Sequence, residues 1–168
     1  MKTRSKLLYC LFLGLLTCFN AYAACINSVP VTSQESTFIV FDDGTVIDQQ
    51  TNLMWKQCGQ GLTGSNCDGV SEHLTWSEAL EEAEFSQFAG YDNWRVPNIK
   101  ELRSIVDYSC NDPSINESIF PNTKNWYYWS STPYAKNSED AWRILFSNGN
   151  DFLFSRDRPY LVRLVRNR

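Results

Sequence analysis

The segment Gly90-Tyr91-Asp92-Asn93-Trp94-Arg95-Val96-Pro97-Asn98-Ile99-Lys100-Glu101-Leu102 holds a stop, a strand and a new start in one short run. Gly90 bounds whatever precedes it, because glycine takes the left-handed cap conformation that other residues resist. Trp94-Arg95-Val96 predicts a short strand running into Pro97. Asn98 then offers its side-chain oxygen to the free amides of a helix start, and Glu101 stands where its carboxylate reaches back to the cap. Ile99, Leu102, Ile105 and Val106 form one apolar stripe. This second helix is expected to end near Tyr108 to Cys110, ahead of the turn signal Asn111-Asp112-Pro113.

Upstream, Thr75 and Glu78 make the same kind of capping box. Trp76, Ala79, Leu80 and Ala83 fall at i, i+3, i+4 and i+7, so a first helix starts at Thr75 with Phe85 to Ala89 free to leave it early. Glu81, Glu82 and Glu84 take its wet face. Before it, Phe38 to Phe41 and Thr45 to Ile47 read as a hairpin around Asp42-Asp43-Gly44. Leu53 to Trp55 is a further short strand. After the second helix the chain is loop-like to about Asn125. Tyr127 to Thr132, the segment around Trp142 to Phe146, Phe152 to Ser155 and Tyr160 to Val165 then read as strands, with Asn148-Gly149 as a turn. Two helices with strands on both sides predict an α+β fold, the helices packed on a mainly antiparallel, twisted sheet, rather than a βαβ repeat.

Lys2, Arg4 and Lys6, the apolar run Leu7 to Leu16 and the A-x-A pattern Ala21-Tyr22-Ala23 predict a signal peptide over residues 1–23. The apolar run is shorter than the roughly 20 residues a membrane span needs. Residues 24–37 are then an N-terminal arm and residues 38–168 one domain. Removal of the leader leaves 12 Lys+Arg against 19 Asp+Glu, a balance of −7. An acidic chain without a basic run is not expected to bind nucleic acid. Cys25, Cys58, Cys67 and Cys110 remain, an even number in an exported chain, and no C-x2-C spacing speaks for zinc. Of the three pairings open to four cysteines, the spacing favours Cys58 with Cys67 across a Gly- and Ser-rich loop, leaving Cys25 to tether the arm to Cys110. The expected location is extracytoplasmic, either periplasmic or secreted to the cell surface.

Gly44-Thr45-Val46, Leu53-Met54-Trp55, Thr75-Trp76-Ser77-Glu78-Ala79-Leu80, the segment Gly90 to Leu102, Phe120-Pro121-Asn122-Thr123, Trp129-Ser130-Ser131-Thr132-Pro133-Tyr134, Ala141-Trp142 and Val162-Arg163-Leu164-Val165-Arg166 together resemble the Lcl C-terminal domain family, over roughly residues 38–166. This is the terminal module of bacterial collagen-like adhesins. The resemblance implies a C-type-lectin-like α+β fold and, from the best known member, attachment to sulfated glycans. It guides fold better than ligand. The chain has no collagen repeat. Some relatives read V-R-C-V-R where Leu164 stands here, so a third disulfide is absent at that point.

Catalysis is not expected. His73 is the only histidine, it sits in a polar loop, and no nucleophile elbow, zinc motif or phosphate loop accompanies it. Carboxylates abound, and a hydrolase is the lesser alternative; it needs two that converge across a cleft. No cofactor is indicated by a motif; calcium is the alternative, since Asp42-Asp43-Gly44 can donate oxygens, but the segment lacks the spaced pattern of a calcium loop and reads first as a hairpin turn. The expected partner is a glycan or a surface protein, and self-association into an envelope or extracellular assembly is the alternative. Trp55, Trp76, Trp94 and Trp142 read as core. In the run Trp126-Tyr127-Tyr128-Trp129 a strand sends alternate rings to opposite faces, so one set packs inward and the other can stack on a sugar. Trp126, Tyr127 and Tyr134 are the aromatic candidates. Arg156, Arg158 and Arg163 are the cationic ones, able to grip sulfate or carboxylate, although the plainer reading pairs such arginines with the protein's own acids.

Overall fold

The structure is a computed structural model that describes residues 24–25 and 37–168. The leader and most of the arm lie outside the described residues. Among the described residues, two antiparallel sheets and two short helices make an α+β domain. The first sheet contains β2 (Phe38–Val40), β3 (Thr45–Asp48), β4 (Leu53–Lys56) and β11 (Val165–Asn167), in the order β11-β4-β3-β2. The second contains β8 (Tyr127–Pro133), β9 (Asp140–Leu145) and β10 (Asn150–Ser155), in the order β10-β9-β8. Two small ladders, β1 (Ala24–Cys25) with β7 (Cys110–Asn111) and β5 (Leu62–Thr63) with β6 (Asp68–Gly69), complete it.

The expected hairpin forms, Phe38 opposite Asp48 and Val40 opposite Val46. Asp43 Oδ1 accepts from the Thr45 amide (3.0 Å) and hydroxyl (2.7 Å), and Gly44 takes φ +81°, which explains the Asp-Gly sequence. Helix α1 (Trp76–Glu84) begins on the expected Thr75–Glu78 box and buries Ala79 and Ala83. Helix α2 (Ile99–Ser104) begins on the Asn98–Glu101 box. It is shorter than its apolar stripe predicts. Asp107 Oδ1 accepts from the amide (2.9 Å) and hydroxyl (2.6 Å) of Ser109, a local turn that competes with helical bonding, and Ile105 and Val106 stay buried without it.

Two other elements differ from expectation. Arg95 makes a single bridge with Val165 in place of a strand at Trp94 to Val96. Residues 160–164 cross between the two sheets, and their backbone bonds go to several partners. The Leu74 amide donates to Tyr160 O, Trp129 to Leu161 O, Gln60 to Val162 O and Lys56 to Leu164 O. Only Val165–Asn167 settles into a ladder, against β4.

The core lies on both sides of this crossing. Val46, Trp55, Leu102, Ile105, Phe120, Tyr128, Ile144 and Phe146 pack in one cluster; Met54, Ala79, Trp94, Trp129, Ala141, Val162 and Leu164 in the other. The second sheet is thus covered on parts of both faces. Tyr128 and Trp129, neighbours in β8, are therefore both buried, which corrects the expectation that one set of this aromatic run would be free. Trp55 and Trp94 are core as expected, but Trp76 and Trp142 are only half-buried.

The Asn98–Glu101 box has an acid-dependent consequence. Burial raises the Glu101 carboxyl, but the Arg95 guanidinium (2.7 and 2.8 Å) and the Asn98 amide (2.8 Å) outweigh it and hold the carboxyl below its ordinary range. A carboxyl depressed by folding stabilises the fold above its unfolded pKa and loses that contribution as pH falls through its folded one. Glu101→Gln is expected to lower the melting temperature at neutral pH, by a difference that shrinks as pH falls through the folded carboxyl's pKa. Thermal denaturation over a descending pH series checks this.

Candidate ligand-binding face

In β9 Arg143 stands opposite Trp129 on one side and Phe152 on the other, so the three share a face of the second sheet. The crossing segment and α1 cover the Trp129 part of that face. The remainder is open. Phe152 and Phe154, two apart in β10, project from it 37% and 40% exposed, and Trp126 at its end is 47% exposed. Tyr127 connects these rings, 5.6 Å from Trp126, 5.8 Å from Phe152 and 5.5 Å from Tyr160 (centroid distances). The result is an aromatic terrace of perpendicular ring contacts, held in place from beneath.

What lies beneath is a cation. The Arg143 guanidinium carbon is 3.6 Å from the Tyr127 ring centroid and 4.2 Å from those of Phe154 and Tyr160. Arg143 is only 4% exposed, and its Nε and Nη1 are enclosed without a hydrogen-bond partner. Among the described residues no carboxylate pairs with it; the ion pairs there are Arg95–Glu101 and Arg103–Asp151. Three ring faces offset part of the desolvation cost, at about 0.5–2 kcal/mol each, but a buried guanidinium lacking hydrogen bonds remains an unfavourable element of a fold. Such a group fits a surface that uses its field: the positive charge sits just behind rings that face solvent.

The structure brings together two of the predicted residues here, Trp126 and Tyr127. Arg156 lies apart from the terrace, stacked 4.2 Å over the half-buried Trp76, with its Nε donating to Asp140 O (3.1 Å). Arg158 is exposed in the turn after β10. Tyr134 packs edge-on against Trp142, which adjoins Arg143 in β9 and so points to the opposite face. Arg163 does not belong to any surface. It is 1% exposed, bonded through Nη1 to the carbonyls of Lys56 and Gln57 and through Nη2 to Thr123 Oγ1, and stacked over Phe120. The crossing segment is buried on both sides, so the alternation that would have put Arg163 in solvent does not apply.

Arg143, Phe152, Phe154 and Tyr160 were not among the predicted residues. The alternation of Phe152 and Phe154 across β10 was a readable signal for paired exposed rings. The burial of Arg143 was not readable, because it depends on Tyr160 arriving from the distant crossing segment.

A second concavity, about 630 Å³, lies between the β2–β3 turn (Val40 to Gly44) and the loop from Cys58 to Ser65. Lys56 forms its floor. Its ammonium donates to Ser86 Oγ (2.8 Å) and Gln60 Oε1 (3.4 Å) and lies 4.8 Å from the Phe88 ring centroid. Burial lowers the Lys56 pKa from its ordinary range, against the opposing pull of Glu82 and Glu72. Both disulfides form, Cys25–Cys110 and Cys58–Cys67, and the second staples one wall of this cleft. Gly61 (φ +82°) seats that wall. A Cβ there would lie 2.4 Å from Val70 O, so Gly61→Ala is expected to cost about 1–3 kcal/mol in urea unfolding and to distort the cleft.

Among the described residues no three of His, Cys, Asp and Glu gather as a metal site requires, and no helix is long and apolar enough to cross a membrane. The Lcl C-terminal domain family matches residues 44–166. The chain belongs to the Lcl C-terminal domain family. No curated protein matches it. Within this Lcl C-terminal domain, the match runs from Gly44 to Arg166 and thus takes in the terrace and the crossing segment, whereas the Val40 to Asp43 wall of the cleft lies ahead of it.

Proposed function

We propose that this protein is an exported, non-catalytic recognition module with a C-type-lectin-like fold, which attaches to a glycan at the cell surface or outside the cell through the terrace of Trp126, Tyr127, Phe152 and Phe154. The observation that carries this reading is the buried, unpaired Arg143 behind solvent-facing rings. Rings of this kind stack on the apolar face of a pyranose, and a positive charge behind them favours sugars bearing sulfate or carboxylate. The family's adhesin member is the precedent for such a ligand. The pair of disulfides accords with an oxidising compartment. Clustered aromatics with an arginine also suit a protein partner, which is the second reading.

The test is a glycan array probed with the oxidised protein, including sulfated and uronic-acid polysaccharides, with calcium and with chelator, at two salt concentrations. Salt-sensitive, chelator-resistant binding to acidic glycans is expected. Absence of binding across the array would refute the glycan reading. Arg143→Met separates function from fold. Replacing a poorly bonded buried cation by an apolar side chain of similar length is expected to leave stability at or above wild type. It should weaken binding of acidic glycans by about tenfold, the scale of losing one unit charge that acts from behind the rings. A large loss of stability instead would make Arg143 a structural residue. A panel of glycoside hydrolase substrates is expected to show no turnover.

A further inference from the structure

The cleft between the β2–β3 turn and the stapled loop is separate from the terrace, and its chemistry is of the opposite sign. Its apolar wall is Val40 and Phe41, both exposed, with Phe88 behind. Asp42, Asp43 and Glu72 line it as well, all exposed. Among the described residues none of these three acids enters an ion pair, and the one cation of the cleft, Lys56, is engaged by Ser86, Gln60 and two aromatic rings. Gln60 in turn donates to Glu82 (2.6 Å). Glu82 and Glu72 also pull on Lys56, so the charge of Asp42 and Asp43 is what the rim leaves over. An anionic occupant would meet three exposed carboxylates against this single, already engaged cation.

We infer that this cleft receives a basic, extended polypeptide segment of a protein partner, one lysine or arginine of which lays its aliphatic stem on Val40 and Phe41 and its charge among Asp42, Asp43 and Glu72. The side chain that suits an apolar wall with an acidic rim is long, apolar along its stem and cationic at its tip. The volume is within the roughly 300–1,000 Å³ range of built binding sites. Both walls are fixed before any ligand arrives. The Cys58–Cys67 bridge and the bond from Asn122 Nδ2 to Cys67 O (2.7 Å) hold one, and the Asp43–Thr45 bonds hold the other. A prepared site loses less free energy on ordering. The inference is independent of the terrace, and its failure leaves the glycan reading untouched.

The experiment uses the oxidised protein labelled with nitrogen-15 and three probes: a peptide alternating valine and lysine, the same peptide with glutamate for lysine, and spermidine. The lysine peptide is expected to shift the amide resonances of Val40 to Gly44 and Gly59 to Ser65, and the glutamate peptide to shift none. Asp42→Asn with Glu72→Gln is expected to weaken the lysine peptide by about tenfold or more, the scale of lost charge-assisted bonds, with an unchanged melting temperature. The control Trp126→Ala/Phe152→Ala should leave this binding intact. No shifts at saturating peptide, shifts elsewhere, or indifference to the double substitution would overturn the inference. Spermidine binding as tightly as the peptide would overturn it too, since the occupant would then be a small polyamine.

Discussion

Arg163→Met is expected to lower the unfolding free energy by about 3–4 kcal/mol, a severe loss for a domain of this size. The side chain sits in the middle of the crossing segment and ties three parts of the molecule together: the end of β4 through Lys56 O and Gln57 O, the loop between β7 and β8 through Thr123 Oγ1, and the core through Phe120. Burial pushes its pKa down to about 10, which still leaves it charged at neutral pH. Methionine fills much of the volume but donates nothing, so three buried acceptors lose a charged donor, each at about 1–3 kcal/mol less the relief of removing a buried cation. Arg163→Lys should fall between, since one ammonium cannot span acceptors that a planar fork reaches from both nitrogens. Urea denaturation of the three proteins measures the order. A methionine variant as stable as wild type would mean that these bonds only balance the cost of burying the charge.

The second large effect concerns the disulfides. Cys25 and Cys110 are 85 residues apart and Cys58 and Cys67 are 9 apart. On the loop-entropy account, opening the long loop by Cys25→Ser/Cys110→Ser costs about 4–5 kcal/mol, and opening the short one by Cys58→Ser/Cys67→Ser about 2–3 kcal/mol. The long bridge also joins β1 to β7 and places the described start of the chain beside the buried Cys110. The short one shapes only the wall of the cleft. Denaturant midpoints of the two double variants should therefore rank in that order, and the Cys58/Cys67 variant should keep terrace binding. The reverse ranking would show that the folded-state contacts of the short loop outweigh its length.

Local chemistry was legible in the sequence, and long-range meeting was not. Both helix starts could be placed on their capping residues because a capping box is complete within four positions. The Asp42-Asp43-Gly44 hairpin and the Cys58–Cys67 loop are equally local. The end of α2 was misjudged because the apolar stripe continues through Ile105 and Val106, whose burial comes from the first core cluster and not from helix. The fate of Arg163 and Arg143 was illegible for a related reason. Alternation assigns a side chain to a face, but whether that face is wet depends on what else reaches it. Residues 160–164 carry Arg163 inside and deliver Tyr160 onto Arg143, and nothing near either arginine announces that crossing. Trp126 and Tyr127 were singled out by alternation along the aromatic run, but what leaves them at the surface is their place at and just before the start of β8, where Trp126 is exposed and Tyr127 half-buried. Phe152 and Phe154 carried a readable alternation in β10, but that the pairing of three strands brings Tyr127 beside Phe152 is not displayed by one sequence.

Glycan binding by the terrace is the property on which the proposed function rests. The most direct measurement is the affinity of a sulfated polysaccharide for the wild-type protein and for Trp126→Ala/Phe152→Ala, by calorimetry at low salt. Both rings lie outside the two core clusters, so the variant is expected to melt as wild type does and to bind at least about tenfold more weakly, since each stacked ring contributes about 1–2 kcal/mol. A variant that binds as tightly as wild type would contradict the account and move the ligand away from this face.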